Sequence, residues 1–103
     1  MAWYGVRTVI EHPAKGGHLY EERVVLFDAV DEAAAFKLAE AEVADYCSYL
    51  EGAKPLGLCQ LYVMDDEPVT SGTEVFSLMR TTHLKPSAYV KRFFKTGDEL
   101  ERD

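Results

Sequence analysis

The chain has 103 residues, 18 acidic and 11 basic side chains, a formal net charge of −7, and 48% apolar and 12% aromatic residues. That length is one domain's worth, the apolar and aromatic content excludes a disordered tail, and no apolar run approaches the roughly 18 residues of a membrane span. The acidic balance disfavours a coat for duplex nucleic acid, whose binders draw affinity from Lys and Arg on phosphates, and the start, Met-Ala-Trp-Tyr-Gly-Val-Arg, does not read as a secretory signal.

Trp3 to His12 alternates as a strand, with Tyr4, Val6, Thr8 and Ile10 on one face and Trp3, Gly5, Arg7, Val9 and Glu11 on the other. Pro13-Ala14-Lys15-Gly16-Gly17 is a turn by composition, and Leu19 to Ala29 is the returning strand. A register in which paired residue numbers sum to 30 sets Tyr4 against Leu26, Val6 against Val24 and Ile10 against Tyr20, an apolar face broken by Thr8 opposite Glu22. A sum of 31 sets Ile10 against Glu21 and Thr8 against Arg23. A one-residue slip exchanges the faces of a whole strand, so the apolar register is expected, with a five-residue loop. It leaves Trp3, Val9, Val25 and Phe27 on the second face, for the final helix or another chain to cover.

Asp28 and Asp31 stand ready as caps for a helix from about Asp31 to Leu50, whose stripe is Phe36, Ala39, Val43, Tyr46 or Cys47, and Leu50. Ala33-Ala34-Ala35 permits close approach to a sheet, and Gly52 and Pro55 end the element. Leu56 to Met64 is a third strand, apolar on both sides and so read as central. Thr73 to Arg80 reads as a fourth strand, and Pro86 opens a short final helix with Tyr89 and Phe93, then Val90 and Phe94, four apart. The expected fold is α+β, in the order β-β-α-β-β-α. A four-stranded, mainly antiparallel sheet carries the long helix on one face, followed by the short C-terminal helix. Residues 1–95 form the single domain and 96–103 a polar, frayed tail.

The chemistry is sparse. His12 and His18 oppose each other in the expected register, but a structural zinc site takes four ligands and no cysteine is near, so both read as solvated. The loop Asp65-Asp66-Glu67 lacks calcium-loop spacing and reads as an acidic patch suited to a basic partner. Arg7 and Arg23 would face each other beside Trp3 and Glu21, either as a clamp for an anionic group or as a solvated charge lattice. Lys91-Arg92-Phe93-Phe94-Lys95 mixes cations with aromatics, suited to stacking on single-stranded nucleic acid or, better, to docking as an amphipathic helix. Nucleophile elbows and phosphate-cradling glycine motifs are missing, and no catalytic residue, metal or cofactor is expected. Cys47 and Cys59 read as free, apolar-packed thiols of a reducing cytoplasm.

Trp3-Tyr4-Gly5-Val6-Arg7, Tyr20-Glu21-Glu22-Arg23-Val24-Val25-Leu26-Phe27 and Gly72-Thr73-Glu74-Val75-Phe76-Ser77 together resemble a family of small bacterial proteins catalogued only as a domain of unknown function. The likeness spans roughly residues 3–80. It implies a bacterial, cytoplasmic protein and supplies no catalytic residues. The expected function is a non-catalytic protein-interaction module, for instance an immunity-type or partner-docking protein. Its surface would be the acidic loop or the Trp3, Arg7, Glu21 and Arg23 face. The alternatives are a homodimer without a foreign partner, and a small anionic-ligand binder or enzyme using Arg7 and Arg23. Neither duplex nucleic acid nor a membrane is expected as a partner.

Overall fold

The computed structural model of the protein describes residues 2–65 and 68–101. Strands β1 (Ala2–His12) and β2 (Leu19–Ala29) precede helix α1 (Glu32–Ser48), strand β3 (Lys54–Val63) and the short helix α2 (Pro86–Tyr89), which runs on into a π-helical turn, Val90–Phe94. The fold is mixed α+β. Its sheet is antiparallel with strand order β2-β1-β3, and α1 packs across one face, against all three strands.

Local chemistry explains these elements. The Asp31 carboxylate accepts from the Ala34 amide at 2.8 Å and closes the first turn of α1. Ala35, Ala39, Val43 and Cys47 recur every fourth residue and are the buried stripe. Three of the four are small, so the helix axis comes close to the sheet. Beneath it lie Val6 and Ile10, both fully buried, with Tyr4 and Ala29. Pro86 starts α2, where its missing amide hydrogen costs nothing.

Three expectations are corrected. The hairpin register sums to 31: Tyr4 pairs with Phe27, Val6 with Val25, Thr8 with Arg23 and Ile10 with Glu21. His12 pairs with Leu19, so the loop is residues 13–18 and His12 and His18 are not opposed. The apolar argument failed because the helix-facing surface of β2 is polar at one end, and α1 supplies partners for it. Arg23 donates to both carboxylate oxygens of Glu42, at 2.9 and 2.8 Å, and its guanidinium lies 3.7 Å from the Tyr46 ring centroid. Val25 and Phe27 thereby face α1, and the outer sheet face carries Val24 and Leu26 instead.

Second, β1 is the central strand and β3 an edge, since β1 pairs on both sides. Third, the sheet has three strands among the described residues, because residues 73–80 form no strand. A turn in which the Thr70 amide donates to Thr73 Oγ1 at 2.9 Å redirects the chain. It then crosses the outer face instead of lengthening the sheet. The Val75 carbonyl lies so close over Gly5 that a Cβ there would be 1.8 Å from its oxygen. Glycine at position 5 is therefore a matter of space, since its φ is not positive.

Candidate functional site

The outer face of the sheet carries Trp3, Gly5, Arg7, Val9 and Glu11 from β1, the residues from Tyr20 to Asp28 that pair with them on β2, and Gln60 and Tyr62 from β3. At its centre Arg7 Nε donates to Glu22 Oε1 at 3.0 Å, a second guanidinium nitrogen reaches the same oxygen, and the third donates to Gln60 Oε1 at 3.4 Å. The Arg7 guanidinium also lies 5.8 Å from the Phe76 ring centroid. Phe76 in turn meets Tyr62 at 6.2 Å, and the Tyr62 hydroxyl donates to Glu74. That hydrogen bond, then burial and the Glu74 charge, push the Tyr62 hydroxyl above its ordinary pKa.

Where β3 bulges, with residues 56–58 set against Val9 alone between the Thr8–Cys59 and Ile10–Pro55 pairs, a groove of about 190 Å³ opens, lined by Arg7, Thr8, Val9, Glu22, Leu58 and Gln60. Around it Leu58 is 67% exposed, Tyr20 53% and Val24 43%. The guanidinium of Arg7 already has partners on three sides, so the groove is an apolar notch beside a satisfied charge.

The sequence-predicted residues divide between two faces. Trp3 and Arg7 are outer-face residues, whereas Glu21 and Arg23 pair with inner-face residues of β1 and point to α1. Arg7 and Arg23 therefore do not converge, and the anion clamp built on that pair is corrected. Asp65 is exposed beyond β3, while Asp66 and Glu67 lie outside the described residues. Leu58, Gln60, Tyr62, Glu74 and Phe76 were not picked out from the sequence. The signal for them was the pairing of Tyr62 and Gln60 with Gly5 and Arg7, which needs the β1–β3 register.

Beneath the helix the polar group is structural. Glu21 accepts from the Tyr46 hydroxyl at 2.9 Å and lies 2.8 Å from His12 Nε2. Burial would raise the Glu21 carboxyl, but hydrogen bonds from His12 and Tyr46 and the charges of His12 and Arg23 outweigh it and hold the group below its ordinary value of 4.5. A carboxyl depressed on folding adds stability above its unfolded value and loses it as pH falls through the folded one. The urea midpoint of the natural chain is therefore expected to exceed that of Glu21→Gln at about pH 5.5, where the carboxylate is ionised. The margin should shrink as pH drops below 4.5. A margin that grows on acidification contradicts this. Burial pushes the thiols of Cys47 and Cys59 up, away from the reactive thiolate, and both are free. Among the described residues no group of three or more His, Cys, Asp or Glu is placed to hold a metal ion, and no helix is long and apolar enough to cross a membrane.

No family model, curated protein or solved structure matches the chain. The motifs of Trp3 to Arg7, Tyr20 to Phe27 and Gly72 to Ser77 thus stand as a likeness, and the site is read from its own chemistry.

Proposed function

We propose that the chain is a non-catalytic protein-interaction module that receives a polypeptide on the outer sheet face beside β3. The supporting observation is the exposed apolar ring of Leu58, Tyr20 and Val24 around a charge network that is already paired. Exposed apolar surface gathered about satisfied polar groups is the composition of an interface core, where an unpaired buried charge would cost several kcal/mol. The net charge of −7 steers association toward basic surfaces, which fits a docking or immunity-type role. The two free thiols fit action in the cytoplasm.

The test compares captured partners on outer-face and helix-face variants of the full chain. Val24→Glu and Leu58→Glu are expected to abolish binding of a captured polypeptide or of a second copy, while Lys37→Glu on the solvent side of α1 keeps it. Equal retention by all three variants would sink the reading.

A further inference from the structure

Residues 75–95 contain five Lys or Arg (Arg80, Lys85, Lys91, Arg92 and Lys95) and no Asp or Glu. Residues 1–74 contain fourteen Asp or Glu against five Lys or Arg. The chain is thus an acidic α/β body joined to a basic arm. The arm is apolar as well: Met79 is 101% exposed and Phe94 68%. Its helical part is held by its own contacts. Tyr89 and Phe93 rings lie 5.0 Å apart, and Arg80 sits 4.4 Å from the Phe93 centroid and donates to the Tyr89 hydroxyl at 3.1 Å. Among the described residues, helix α2 and the π-helical turn pack on each other and on no other strand or helix.

The whole chain is correspondingly open. It exposes 8088 Å² with a radius of gyration of 15.7 Å, whereas a compact monomer of 11.6 kDa exposes about 5,800 Å² with a radius near 13 Å. The excess, on the order of 2,000 Å² per chain, is what each partner of an extensive obligate dimer buries.

A cleft of about 780 Å³, lined by Arg7, Tyr20 and Glu22 of the outer face and by Phe93, Asp98 and Glu99, separates that face from the arm's end. The outer face of a second copy offers Glu11 and Asp28 beside Val24 and Leu58, with Glu22 already paired to Arg7, and is opposite in charge to the arm.

We propose that the surface described above is covered by the basic aromatic arm, residues 78–95, of a second copy, and that two copies exchange arms about a twofold axis. This rests on the outer face being the interaction surface and names its occupant. A reciprocal contact of this kind closes at two chains, and the arm-to-body attraction overcomes the repulsion of two chains each at −7.

Sedimentation equilibrium of the full chain at tens of micromolar tests it. The expected result is twice the chain mass. Lys91→Glu/Arg92→Glu, and separately Phe94→Asp, are expected to yield the monomer mass with unchanged circular dichroism. Raising the ionic strength toward 1 M, where screening acts within about 3 Å, weakens the dimer. A monomer in the unmodified chain overturns the arm exchange, as does a dimer unmoved by both arm variants. If that monomer still captures a foreign polypeptide through Val24 and Leu58, the exchange falls and the interaction reading stands. If it captures nothing, both fall.

Discussion

Gly5→Val is expected to cost about 3 kcal/mol in urea denaturation, the upper part of the range for overpacking a filled site. The Val75 carbonyl oxygen stands 1.8 Å from where the new Cβ would be, and a backbone atom cannot rotate out of the way as a side chain can. The crossing segment must therefore lift from the sheet. With it go the Phe76 contacts to Tyr62 and Arg7 and the Tyr62–Glu74 hydrogen bond. Limited proteolysis should then cut near residues 74–80 much faster than in the natural chain. Gly17→Ala is the control. Nothing lies within 4 Å of its added Cβ and its φ is not positive, so its effect should stay within about 0.5 kcal/mol. Equal effects at the two glycines would show that the segment does not rest on Gly5.

Arg23→Met is expected to cost about 2–3 kcal/mol, below the full value for a buried pair because solvent reaches its edge. The side chain is 18% exposed and its partner Glu42 31%. Removing the guanidinium leaves Glu42 without its bidentate donor and Tyr46 without the cation on its ring. Adding Glu42→Leu should recover part of the loss, since an apolar pair replaces an unpaired charge. A double-mutant cycle on the two positions is expected to give a coupling of about 1–3 kcal/mol. The same cycle decides the hairpin register: with numbers summing to 30, Arg23 would face away from α1 and the coupling would vanish.

The helix and strand boundaries were legible from local signals. Leu19–Ala29 is bracketed by a Pro-Gly turn and the Asp31 cap, α1 is set by that cap and by Ala39, Val43 and Cys47 of its expected stripe, with Ala35 buried in place of Phe36, and Pro86 marks the start of α2. Residues 73–80 deceived because alternation marks an extended chain, and an extended chain also crosses a sheet face with no partner for its backbone. The candidate site was legible only in Trp3 and Arg7. Glu21 and Arg23 were attached to it by the wrong register, and Leu58, Gln60 and Phe76 reach it only through the pairing of β3 and the path after Thr73.

From the sequence alone come the class of the domain, the limits of its regular elements and the capping of α1, because each depends on neighbours a few residues apart. The alternation also settles which residues share a face within one strand. It does not settle which face of β2 joins which face of β1, because both faces of β2 mix apolar and charged side chains. Helix α1 made that choice, setting Glu42 and Tyr46 over Arg23 and Glu21 and stabilising a register that apolar matching alone rejects. The covering of Gly5 by the Val75 carbonyl was likewise decided only in three dimensions. That contact joins residues 70 positions apart, and no local pattern records it.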